Sequence, residues 1–118
     1  MPTNLPEKLD RIEAILCAAA NVDRDILHSP NREQEYADVR AAIWYVARHY
    51  LGYTYPGLGR IYKRDHTTVI HGVSRIEGMS DPAKRKIVDG IRAVDPGLLI
   101  RTLEEGKPRP IDAWKFQK

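Results

Sequence analysis

Cysteine occurs once in this chain of 118 residues, at Cys17. A single thiol excludes an internal disulfide framework and any paired-cysteine zinc pattern. Within Leu16-Cys17-Ala18-Ala19-Ala20 it reads as a small core residue. No apolar run approaches the roughly 20 residues of a membrane span, which argues against a membrane partner. The first ten residues, MPTNLPEKLD, lack a basic-then-apolar leader, so the expected location is the cytoplasm. The phosphate-cradling pattern GxxxxGKS/T is missing, and with it the expectation of bound nucleotide. There is no internal repeat, and no serine or cysteine nucleophile has a base at a recognisable spacing. His66 and His71 are five apart, so on a helix they diverge by about 140°, which is poor for shared metal ligation. These absences point away from an enzyme, a cofactor and a metal site.

What is present is a folding-competent, mildly basic chain. Apolar residues make up 42%, the formal net charge is +3 and the pI about 9.1. The length fits one domain. Such a balance permits nucleic-acid binding without demanding it. The charge is uneven: residues 1–29 carry −2, residues 30–80 carry +2 and residues 81–118 carry +3. The first helix is therefore not expected to face phosphate.

The stretch RDHTTVIHG, residues 64–72, organises the rest. Asp65 is placed to cap a helix by accepting from free N–H groups of its first turn. His66, Thr67 and Thr68 follow as polar residues of that turn, and Val69, Val73 and Ile76 recur at helical spacing. A helix with a polar tip and an apolar back is what the recognition helix of a helix-turn-helix protein requires, because its N-terminal residues meet base edges in the major groove.

Upstream, Thr54 can cap a short helix with Pro56 in its first turn, Leu58, Ile61 and Tyr62 inward, and Gly59 allowing close approach of a neighbour. Val39, Ile43, Val46 and Tyr50 mark a longer helix, with Trp44 off that stripe and packing at its edge. Arg40 and Arg48 lie about two turns apart on one face of it. Before it, Leu5, Leu9, Ile12, Leu16 and Ala19 form an amphipathic helix with an acidic polar face, 22–28 form a short helix, and 29–32 form a loop. After the recognition helix, a helix is expected over 84–94 and a short one over 98–104, followed by a loop at 106–110 and a tail with Trp114 and Phe116.

RDHTTVIHG resembles the signature of the C-terminal DNA-binding domain (domain IV) of the bacterial replication initiator DnaA. The segment VRAAIWYVA, residues 39–47, is similar to that family's arginine-led buried helix, and TYPGLGRIY, residues 54–62, to its first helix-turn-helix helix. Residues 12–32 are more loosely similar, and the resemblance covers roughly residues 9–79. It implies an all-α multi-helix bundle containing a helix-turn-helix, Trp-repressor-like in type, over residues 1–94, with 95–118 as a C-terminal extension.

The resemblance also implies double-stranded DNA as the partner, bound by one monomer per asymmetric box. Residues matching Asp65, His66, Thr67, Thr68 and His71 lie at the DNA in the family. The position of Arg40 touches phosphate there, and that of Arg32 enters the minor groove. Narrow A·T-rich minor grooves attract such arginines, although Glu33 and Glu35 beside Arg32 suit a solvated loop residue equally well. Charge and position add Arg48, Lys63, Arg64 and Arg75 as phosphate candidates.

One departure stands out. The family places two small residues, often glycines, between the aromatic residue and the arginine, whereas this chain has only Lys63. Either the first helix of the motif ends earlier or its crossing angle changes. The reading is a stand-alone regulator of replication initiation or transcription, bacterial or phage-encoded, without ATPase activity. Its rival is a protein–protein adaptor that kept the fold and lost the DNA, using the aromatic tail. RNA binding is disfavoured by the lack of an aromatic stacking surface.

Overall fold

Apolar side chains at helical spacing turn inward, and the described residues wind into six helices around them. The computed structural model describes residues 5–30 and 32–99. The helices are α1 (Glu7–Ala20), α2 (Arg24–Leu27), α3 (Gln34–Tyr50), α4 (Tyr55–Tyr62), α5 (His66–Glu77) and α6 (Asp81–Val94), with no strand among the described residues. The all-α expectation is met.

The long α3 is central: α5, α1 and α2 pack on it, α4 packs on α5, and α6 rests on α1. Val39, Ile43, Trp44, Val46 and Ala47 of α3 meet Leu9, Ile12 and Cys17 of α1, Leu58 and Tyr62 of α4, and Val69 and Val73 of α5 in one core. Each large aliphatic residue buried here contributes about 1.5–3 kcal/mol by leaving water.

Local chemistry sets the boundaries. Asp23, Thr54 and Ser80 cap α2, α4 and α6 by accepting from Asp25 N, Gly57 N and Ala83 N at 2.7, 3.0 and 3.3 Å. The Ser80 cap starts α6 at Asp81, three residues before the expected Lys84. Similarly α3 begins at Gln34 rather than near Val39, because Gln34 donates to Asp38 one turn on at 2.8 Å and Tyr36 is already buried. Residues 96–99 form a turn rather than the start of a helix, and Leu98 and Leu99 join the core. The rest of that expected helix, the loop at 106–110, Trp114 and Phe116 lie outside the described residues.

Trp44 does not sit at the edge of its helix. It is 3% exposed, meets Tyr62 edge-on at 5.8 Å, and fits because residue 72 is glycine. A Cβ on Gly72 would stand 3.0 Å from Trp44 Cε3.

The motif's turn closes without a glycine at its left-handed position. The helix α4 runs to Tyr62, and Lys63 itself takes the left-handed conformation, φ 56° and ψ 46°. Arg64 N donates to Gly59 O at 2.9 Å and Lys63 N to Arg60 O at 3.4 Å, which is the Schellman pattern. Gly59 makes the tight return possible: a Cβ there would lie 2.7 Å from the Arg64 carbonyl oxygen. The same pattern ends α1 on Asn21. A lysine pays a steric penalty in this conformation that glycine does not, partly offset by glycine's looser unfolded chain. Lys63→Gly should therefore stabilise the fold by about 0.5–1 kcal/mol and raise Tm by roughly 3 °C in thermal melts.

Candidate nucleic-acid interface

The helix α5 buries Val69, Val73 and Ile76, which fixes the direction of everything else on it. His66, Thr67, Thr68 and His71 are exposed, as is Asp65 before them. Asp65 is in extended conformation and its Oδ1 accepts from Thr67 N at 3.5 Å and from Thr67 Oγ1 at 3.1 Å. His66 Nδ1 lies 3.5 Å from the same oxygen. The result is a fixed polar tip, as expected from the sequence, with the N–H groups and positive dipole end of a helix behind it.

Beside the tip runs a cleft of about 580 Å³. It is lined by Pro30, Arg32, Ala37, Arg40 and Trp44 from the loop and α3, and by Arg64, Thr68, His71, Gly72 and Arg75 from the turn and α5. Four arginines that are far apart in sequence thus converge with two of the tip residues. Burial, and then the neighbouring charge of Arg64, lower the proton affinity of the Arg40 guanidinium. Like charges crowded in this way favour an anion in the cleft.

These arginines also have duties within the fold. Arg40 is 5% exposed and donates to Leu27 O at 2.8 Å. Arg64 donates to Ser29 O at 2.7 Å. Arg75 pairs with Asp38 at 2.7 Å and donates to Ala37 O at 3.3 Å. A guanidinium has five donors in a planar fork, so holding a carbonyl at one edge is compatible with meeting phosphate at another. Arg32 is exposed at the mouth of the cleft.

Arg48 and Lys63 are not brought into the cleft lining. Arg48 is buried, donates to Tyr53 O at 3.0 Å and lies 4.5 Å over the Tyr55 ring, so it closes the connection between α3 and α4. It shares a helix face with Arg40, as its spacing required, but on α3 that face is internal. Lys63 is exposed on the turn.

Sequence reasoning missed Trp44 and Gly72 as parts of the cleft. A signal existed for each: Trp44 is one turn after Arg40, and Gly72 directly follows His71. It also missed Glu13. This residue counted toward an acidic, solvated face, yet it is 0% exposed. Its carboxylate accepts from Tyr62 OH at 2.7 Å and Arg24 Nε at 2.9 Å, and lies 2.8 Å from His28 Nε2. Since a carboxylate only accepts, His28 must carry its proton on Nε2. Burial by itself would raise the Glu13 pKa, but these hydrogen bonds, that from His28 first, outweigh it and hold the carboxyl below its ordinary value.

Among the described residues no three metal-ligating side chains cluster, and no helix is long and apolar enough to cross a membrane.

Residues 9–76 match the family described as the bacterial dnaA protein helix-turn-helix. The chain is 40% identical over 86 residues to the chromosomal replication initiator protein DnaA of Roseobacter denitrificans, which is 72% of this chain and 18% of that protein. It is 36% identical over 85 residues to DnaA of Ruegeria sp. strain TM1040, which is 71% of this chain and 17% of the relative. With DnaA of Pseudothermotoga lettingae it shares 30% identity over 78 residues, 66% of this chain and 17% of the relative. The chain therefore spans less than a fifth of the length of these curated relatives. The matched residues take in α4, the turn and α5 with its exposed tip, and the chain belongs to the DnaA helix-turn-helix family.

Proposed function

We propose that this chain binds double-stranded DNA selectively, at sites like the asymmetric boxes recognised by DnaA, and regulates replication initiation or transcription without hydrolysing ATP. The observation that carries the reading is the convergence of Arg32, Arg40, Arg64 and Arg75 in one cleft beside the exposed tip of α5. In this reading the cleft and the first-turn N–H groups grip phosphate, while Asp65, His66, Thr67 and Thr68 meet base edges in the major groove. A carboxylate accepts from a cytosine amino group, and a threonine methyl packs on a thymine methyl. Arg32 enters the adjacent minor groove, and one monomer occupies one site. Lys63, exposed on the turn, adds a peripheral phosphate contact.

Affinity should depend steeply on salt. Each phosphate neutralised contributes about −0.9 to the slope of log K against log salt, so phosphate contacts from Arg40, Arg64, Arg75 and Lys63 predict a slope of roughly −3 to −4. Titrating a box-containing duplex and a scrambled duplex across salt concentrations tests this. A flat response, or equal affinity for both duplexes, contradicts the reading. Lys63→Gly should reduce the magnitude of the slope by about 1 while raising stability.

One observation favours a different reading, a protein adaptor. The helices α1 and α6 leave an apolar groove of about 820 Å³ between them, lined by Ile15, Leu16, Met79, Ile87 and Val94 among others, with Val94 67% exposed. An adaptor would show no duplex selectivity in the same titration.

A further inference from the structure

Three successive residues before the Arg32 loop are each held by a different element. Leu27 O accepts from Arg40 of α3 at 2.8 Å. Ser29 O accepts from Arg64 of the helix-turn-helix turn at 2.7 Å. Between them, His28 stacks on Tyr62, the last residue of α4, with ring centres 4.8 Å apart and planes 8° from parallel. Both of those side chains converge on the same carboxylate, Glu13 of α1, which accepts from Tyr62 OH at 2.7 Å and faces His28 Nε2 at 2.8 and 2.9 Å. Arg24 completes the set at 2.9 Å.

Three donors, two from α2 and its C-cap residue and one from α4, thus share two oxygens. Only a carboxylate has the acceptor capacity for this: an amide offers one oxygen, and an apolar residue none. Hydrophobic packing alone fixes His28 and Tyr62 loosely in rotation, whereas directed hydrogen bonds fix their relative position. Two segments are tied by that position. His28 leads into the loop of Arg32, and Tyr62 leads into the turn that launches α5.

We infer that Glu13 is a positioning residue for DNA recognition: through His28 and Tyr62 it sets the reach of Arg32 relative to the tip of α5, so that both grooves are engaged in register. The inference rests on the DNA-binding reading above. It makes Glu13 important for binding although it lines no part of the cleft.

The test is a double-mutant cycle in the full chain, at a temperature where circular dichroism shows every variant folded. Glu13→Gln keeps size and one acceptor oxygen. It should weaken binding to the preferred duplex about tenfold, which corresponds to a shift of about 1.4 kcal/mol. In an Arg32→Ala background the same change should cost nothing further, because the contact it positions is gone. Tyr62→Phe removes one hydroxyl and leaves the ring stack. It should show a smaller loss with the same dependence on Arg32, and it carries the test should Glu13→Gln not fold. Hydroxyl-radical footprints of both variants should lose protection in the minor groove, while protection of guanine N7 from dimethyl sulfate in the major groove is kept. Wild-type-like affinity in both variants, or an equal loss with and without Arg32, overturns the inference and leaves the DNA-binding reading intact. So does an Arg32→Ala protein that binds as tightly as wild type. A wild-type protein that does not select the duplex overturns both.

Discussion

Glu13→Ala should lower folding stability by about 3–5 kcal/mol, the cost of breaking a buried charged network by removing one member. The size follows from what is left behind. The Tyr62 hydroxyl is buried with its ring, and the residue is only 2% exposed, so it loses its acceptor with little access to water. His28 loses the acceptor for Nε2. A stranded buried donor costs about 1–3 kcal/mol. Arg24 adds little, because its side chain is 30% exposed and Asp10 remains as a second partner. For a domain whose whole stability is about 5–15 kcal/mol, this brings the fold near its limit. Urea denaturation of wild type and variant measures the difference, and a loss under about 1 kcal/mol would mean that solvent replaces the carboxylate without cost.

The pH dependence has a definite sign. Glu13 has a folded-state pKa below its ordinary 4.5. A group depressed in this way contributes stability that is fully present above its unfolded value and is lost as pH falls through the folded value. The gap between wild type and Glu13→Ala should therefore narrow as pH falls below about 4.5. Acid unfolding curves of the two proteins should converge at low pH.

Asp65→Ala should relax selectivity by about 1–3 kcal/mol at one base pair of the site, the usual worth of a direct base contact. Two roles meet in this carboxylate, and the geometry weights them. Its bond to Thr67 N is long, at 3.5 Å, so the cap lies at the weak end of the range and its loss should cost about 0.5–1 kcal/mol of stability. Its bond to Thr67 Oγ1, at 3.1 Å, fixes the orientation of a second tip residue. In the proposed binding mode the substitution should thus blur the preference at the base pair facing Asp65 and, more weakly, at the one facing Thr67.

Removing a negative charge beside phosphates should also tighten binding to a scrambled duplex, which truncation of a mere cap would do without changing base preference. Asp65→Asn separates the roles. Asparagine caps a helix as well as aspartate, so stability should hold while the preferred base changes. Selection of bound duplexes from a randomised pool reads both variants. An unaltered preferred sequence in each would show that Asp65 only caps.

Much of the proposed interface is legible along a single stretch of chain. Asp65, His66, Thr67, Thr68 and His71 lie within one helix and its cap, and helical periodicity alone places the apolar residues behind them. The start of α4 follows the same logic, since the Thr54 cap is a contact between near neighbours, whereas α2 spans only Arg24–Leu27 of the expected 22–28 because Asp23 caps it. The Lys63 turn was harder. Its residue type argues against a left-handed conformation, and the strain is tolerated because the Schellman bonds and the close approach at Gly59 fix the backbone there.

The sequence by itself determined the main helices, the caps at Thr54 and Asp65, the apolar back of α5 and the polar tip in front of it, because each depends on residues two to four positions apart. Only the tertiary structure decided what the charges do. Arg40 and Arg48 share a helix face by spacing, yet one reaches the cleft and the other closes a connection, because different neighbours cover the two ends of α3. Glu13 reads as solvated and is buried, because His28, Arg24 and Tyr62 bring donors to it from other elements. The burial of a charge is settled by partners that close over it in space, and a helical period carries no information about partners 11 to 49 residues away.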